Sequence, residues 1–89
     1  MRKVVQVTEV DGEGFEALLD KQVLVFCASF IYTGKLIGVN KTCILLDKPS
    51  IVYETGAFDK TTFVDAQALP NQWYLQMSMI ESFGETNKK

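Results

Sequence analysis

Residues 22–29 are apolar on both parities of a strand: Val23, Val25 and Cys27 alternate with Leu24, Phe26 and Ala28. Successive side chains of a strand point to opposite faces of the sheet, so this segment asks for burial on both sides. That is a heavy demand on a chain of 89 residues. A domain of this length hides only roughly 60–65% of the surface its unfolded chain exposes. One face must therefore line the interior of a curled sheet, and the other must meet a helix or a partner subunit. The hydrophobic content of 47% is somewhat rich for so short a monomer and points the same way, towards an oligomer interface.

The rest of the chain reads as strand after strand. Residues 3–10 are rich in β-branched side chains and predict an extra N-terminal strand, which the acidic and glycine residues at 11–14 break. Phe15, Leu18 and Leu19 recur at helical spacing and predict one short amphipathic helix of about two turns over Phe15–Lys21. So short a helix cannot stand alone and must lie on the sheet, where it would cap one end. Residues 30–40 predict a strand carrying Gly34 and Gly38, which mark bulges or bends. Residues 42–54 predict a third strand, bent or at an edge where Pro49 cannot donate to a ladder. Residues 56–60 read as a turn, 61–69 as a strand ended by Pro70 and Asn71, and 72–83 as a half-buried strand. The expected architecture is mainly β: a small, strongly bent, five-stranded antiparallel open barrel over residues 1–84, with residues 85–89 as a solvated tail.

The composition excludes several function classes. The Val, Ile, Leu and Phe content excludes disorder, and no apolar run approaches the ~18 residues of a membrane helix. With 9 Lys and Arg against 11 Asp and Glu, the chain is not a basic nucleic-acid module. It has no histidine, and Cys27 and Cys43 alone cannot complete a four-ligand zinc site. Each cysteine sits in an apolar run and reads as a buried small hydrophobe. No serine or cysteine has an adjacent base, and no glycine loop is built to cradle phosphate, so neither an enzyme nor a cofactor is expected. The N-terminus lacks the continuous apolar stretch of a signal peptide, and the expected compartment is the cytoplasm.

The middle of the chain resembles the Sm and Sm-like protein family. The residues that carry the resemblance run from Tyr32 to Asp47. Gly34, Leu36, Gly38 and Val39 match the family's first motif in register. Asn40 stands where the family has Asp, and Cys43 where it has Met. The family's base-contacting Asn falls on Ile44, and its second, Arg-containing motif has no clear counterpart. Leu69-Pro70-Asn71 is the best-placed stretch for that motif and lacks the Arg.

The resemblance implies an Sm-like, SH3-like barrel that assembles into a homo-oligomeric ring by pairing strands between neighbours, which removes exposed sheet edges. It also implies that loops repeated around a pore hold single-stranded RNA through stacking and base-edge hydrogen bonds. The equivalent loops here are Asn40-Lys41-Thr42 and Pro70-Asn71-Gln72. Asn40, Asn71 and Gln72 carry amides suited to base edges, Lys41 one positive charge per subunit, and Trp73 or Tyr74 a stacking face. The same residues also read as a hydrophilic hairpin turn, and Trp73 and Tyr74 as core or subunit interface. The single Arg, at position 2, argues for weak single-stranded binding and against duplex DNA. A structural or protein-interaction ring with no nucleic-acid role is the alternative.

Overall fold

In the computed structural model, which describes residues 14–88, Val23, Leu24 and Val25 are all buried. They lie in β1 (Gln22–Cys27), which pairs antiparallel with β2 (Ile31–Val39) on one side and β6 (Ile80–Glu85) on the other. β2 pairs with β3 (Cys43–Glu54), a single strand of 12 residues. The far half of β3 pairs with β4 (Asp65–Ala68), and its near half with β5 (Trp73–Gln76). The result is a six-stranded antiparallel sheet in the order β4-β3-β2-β1-β6, with β5 also on β3. The two-sided burial expected at residues 23–25 is present, and the strand expected over 3–10 lies outside the described residues.

The core gathers on one face of this sheet. Val23 and Val25 of β1, Leu36 of β2, Ile44 and Leu46 of β3, and Leu75 of β5 pack together with Phe15. Phe15 closes the cluster by stacking on Phe83 of β6, with ring centroids 3.6 Å apart. On the opposite face Thr33 is buried, and its hydroxyl donates to the Val23 carbonyl at 2.8 Å while accepting from Gln22 Nε2 at 3.3 Å. A buried hydroxyl thus has both of its roles filled.

The glycines of β2 do what their positions suggest. The β2–β3 register shifts between Thr33 and Lys35 and again between Leu36 and Gly38. At Gly34 a Cβ would stand 3.1 Å from the Asp47 carbonyl oxygen and 3.2 Å from the Pro49 Cα. Only a residue without a side chain lets β3 come this close. Opposite this point Lys48 adopts a left-handed φ of 48°. β3 therefore bends around its Asp47-Lys48-Pro49 stretch without ending there.

Five expectations are corrected. The two-turn helix over Phe15–Lys21 is a 3-10 turn, Gly14–Leu18. Its bonds run from Leu19 N to the Glu16 carbonyl and from Lys21 N to the Leu18 carbonyl, three residues back. Asp20, at φ 67°, then turns the backbone out of the helical region and donates to the Leu36 carbonyl at 2.7 Å. The sheet captures the chain before a full helix can pay back its nucleation cost. The strand expected over 61–69 is confined to Asp65–Ala68, because residues 55–64 form a loop.

The strand expected over 72–83 is split by a second 3-10 turn, Met77–Met79, so the described residues form six strands and not five. Among the described residues there is no α-helix, and none is long and apolar enough to cross a membrane. Both cysteines are free and half-buried, where full burial was expected. The chain end also differs from a solvated tail. Glu85 belongs to β6, and Lys88 is 2% exposed, its ammonium donating to the carbonyls of Ala57 at 2.7 Å and Lys60 at 2.9 Å. The charge lies 5.4 Å from the Phe63 ring centroid.

Candidate nucleic-acid interface

Asn40, Lys41 and Thr42 connect β2 to β3 as a tight hairpin. The Asn40 side-chain carbonyl accepts from Thr42 N at 2.8 Å, from Cys43 N at 2.9 Å and from the Thr42 hydroxyl at 3.1 Å. Asn40 N donates to the Cys43 carbonyl at 3.0 Å, closing the turn. This is the Asx-turn chemistry that makes Asn a loop builder. It occupies the amide oxygen and leaves the Asn40 NH₂ as the group able to meet a ligand. Lys41 stands exposed at the tip.

The second loop lies elsewhere. Cys43 is opposite Gln76, and Leu46 is opposite Trp73. Asn71 and Gln72, which precede Trp73, therefore sit about 13 Å along β3 from the hairpin. What meets the hairpin is the Met77–Met79 turn: Met77 N donates to the Thr42 carbonyl at 2.8 Å. Residues 77–79 carry no glycine or proline, so nothing in the local sequence marks them as a turn next to the hairpin.

Asn71 and Gln72 have their own surroundings. Asn71 adopts a left-handed φ of 59°, a conformation Asn tolerates better than most residues. Leu69 N donates to the Pro49 carbonyl at 2.9 Å and pins this turn against the bend of β3. Between the two lies an open cleft of about 790 Å³, bordered by Asp47, Lys48, Asn71, Gln72 and Tyr74 over Pro49. Tyr74 is 66% exposed and Trp73 38% exposed, so neither is a core residue.

The shifted ionisable groups lie in another part of the sheet. Burial pushes the Cys27 thiol up, with the Glu81 carboxylate adding to the effect, and burial likewise raises the Tyr32 phenol. Among the described residues no group of three His, Cys, Asp or Glu side chains is placed to hold a metal ion. No family model and no curated protein matches this chain.

Proposed function

We propose that the chain is a subunit of an Sm-like homo-oligomeric ring that binds single-stranded RNA weakly through its Asn40-Lys41-Thr42 hairpins. The observation that carries this reading is the connection between the last two strands. β5 lies beside β3 and β6 beside β1, so in a flat sheet they would be about 19 Å apart, four strand spacings. They are joined by Met77–Met79 alone, and three residues of 3-10 helix rise only about 6 Å. A sheet that makes this connection has to curl strongly on itself, which supports a bent barrel. The bulges at Gly34 and Gly38 supply the curvature.

The outer edge supports assembly. All four residues of β4 are exposed, and Tyr53, Phe58 and Val64 nearby are each more than half exposed. A short edge flanked by apolar side chains suits pairing with a second copy. In a ring each hairpin would bring one Lys41, and several weak contacts would add as avidity.

A second reading, a ring with a structural or protein-interaction role and no nucleic-acid ligand, is favoured by one observation. The Asn40 side-chain oxygen, which would otherwise read a base edge, is occupied by the hairpin's own donors. Native mass spectrometry combined with titration of short labelled RNA at low and moderate salt separates these readings. The ring reading expects a discrete oligomer, and a monomer overturns it. The RNA reading expects binding that weakens with salt and with Lys41→Ala. Absence of binding at both salt concentrations leaves the second reading.

A further inference from the structure

We propose that the cleft between the turn at residues 57–60 and the outer face of β1 and β6 binds a neutral aromatic small molecule. The proposal is independent of the RNA reading above, because no residue of the Asn40 hairpin borders this cleft. Val23 and Val25 face the core, so Leu24 and Phe26 lie on the other face of β1. The register sets Gly84 opposite Leu24 and Ser82 opposite Phe26, on that same face. These residues form the floor of a cleft of about 590 Å³, within the roughly 300–1,000 Å³ usual for small ligands. Phe58, in the loop between β3 and β4, borders it from above and keeps 66% of its surface exposed.

A buried ammonium holds this roof over its floor. Lys60 N donates to the Ala57 carbonyl at 3.2 Å and closes a turn that contains Phe58. The Lys88 ammonium donates to the carbonyls of both Ala57 and Lys60. Lys88 is itself anchored to the floor. Thr86 N donates to the Gln22 carbonyl at 2.9 Å, next to the β1–β6 ladder, and the Thr86 hydroxyl accepts from Lys88 N at 3.1 Å. A roof tied to its floor in this way loses little conformational freedom when a ligand enters. The floor is open at Gly84, where a Cβ would meet nothing within 4 Å among the described residues. Gly84 does not have a positive φ, so the backbone does not require glycine there. The missing side chain leaves room beside Leu24.

The lining selects the class of ligand. Phe26 and Phe58 offer two rings, and an aromatic ring is well met by another in offset or edge-to-face contact. Asp59, Lys60, Glu85 and Lys88 on the border carry two charges of each sign. Lys88 is committed to its two carbonyls, and Glu85 lies 3.8 Å from Lys21, so neither asks for a charged ligand. The Ser82 and Thr61 hydroxyls can meet one polar group on an otherwise apolar molecule.

The test is fluorescence titration with N-phenyl-1-naphthylamine, a neutral probe whose emission rises in apolar surroundings. Wild type is compared with Gly84→Leu, Phe58→Ala and Phe30→Ala, with the urea midpoint and native mass measured for each. Gly84→Leu fills the open floor and is expected to abolish saturable binding. Phe58→Ala removes one ring contact and is expected to weaken it about 2- to 12-fold. Phe30, exposed and outside the cleft, is the control, and its variant is expected to bind as wild type. If Gly84→Leu lowers the urea midpoint, Phe58→Ala decides the matter, since its ring is mostly exposed. Equal binding by all four proteins places the probe on exposed aromatic surface and overturns the site, as does wild type without saturable binding. Adding a sulfonate to the same ring system, as in 8-anilino-1-naphthalenesulfonate, is expected to weaken binding, and equal or tighter binding overturns the neutral class. A changed native mass in Gly84→Leu means that a neighbouring subunit fills the cleft, which also overturns the site.

Discussion

The Lys88 ammonium donates to the Ala57 carbonyl at 2.7 Å and ties the end of the chain to the loop between β3 and β4. With the second bond to Lys60 and the Phe63 ring close by, this side chain holds a segment that lacks strand pairing of its own. Lys88→Met keeps much of the packing but removes the donors. It is expected to cost about 1–3 kcal/mol, since hydrogen bonds from a charged group contribute more than neutral ones. Hydrogen exchange of the amides at residues 57–63 should quicken along with the fall in stability. Unchanged exchange there would show that the loop is held by other contacts.

The contrast between two strand glycines gives a sharper test. Gly34→Ala places a methyl group 3.1 Å from the Asp47 carbonyl oxygen and 3.2 Å from the Pro49 Cα, closer than ordinary van der Waals contact and against backbone that cannot swing away. The expected destabilisation is about 1–3 kcal/mol, read as a lower urea midpoint. Gly84→Ala in β6 meets nothing within 4 Å and should leave the midpoint nearly unchanged. Equal effects at the two positions would remove close approach as the reason for Gly34.

The glycines of β2 also mark how far the sequence can be read. Gly34 and Gly38 announce bulges because a bulge is a local backbone event, and the two-sided apolar run at 23–28 announces burial because parity is local too. The Met77–Met79 turn is invisible in the sequence because its cause is tertiary: the Thr42 carbonyl takes the Met77 amide, and the chain crosses to the other edge of the sheet. The 3-10 turn at Gly14–Leu18 shares the apolar spacing of a helix, and only the capture of Asp20 by Leu36 separates the two. For the candidate interface, the hairpin is legible from Asn40, whereas the distance from it to Asn71 depends on which residues of β3 pair with β5.

The Phe15–Phe83 stack fastens the first 3-10 turn to β6. Phe15 is nearly buried, so Phe15→Ala should cost about 3 kcal/mol. A double-mutant cycle with Phe83→Ala should return a coupling of about 0.5–1.5 kcal/mol, the share due to ring against ring. A coupling of zero would mean that each ring packs independently of the other.

Cys27 predicts a response to alkaline pH. Its thiol is raised above the ordinary value of 9.0, first by burial and then by Glu81. The unfolded chain releases this proton at lower pH than the folded one, so the folded state is favoured fully below about pH 9 and loses that advantage as pH rises towards the folded value. The Tyr32 phenol, raised above 10.0 by burial, shifts the loss further in the same direction. Cys27→Ala should flatten the first part of the decline in urea midpoint between pH 8 and the folded thiol value. An identical decline in the variant would assign it to other groups.

Asn40 separates turn building from ligand contact. Asn40→Asp preserves the acceptor oxygen that holds Thr42 and Cys43, so the hairpin should keep its stability. Asn40→Ala removes that acceptor and should cost about 1–2 kcal/mol, because the turn amides lose a partner supplied within the loop. RNA affinity then distinguishes the two roles. If the Asn40 NH₂ donates to a base, Asn40→Asp and Asn40→Ala both weaken binding even at a salt concentration that screens the new charge of the aspartate. If Asn40 only shapes the loop, Asn40→Asp binds as wild type once salt is raised, and Asn40→Ala alone is impaired, in proportion to how far Lys41 is displaced.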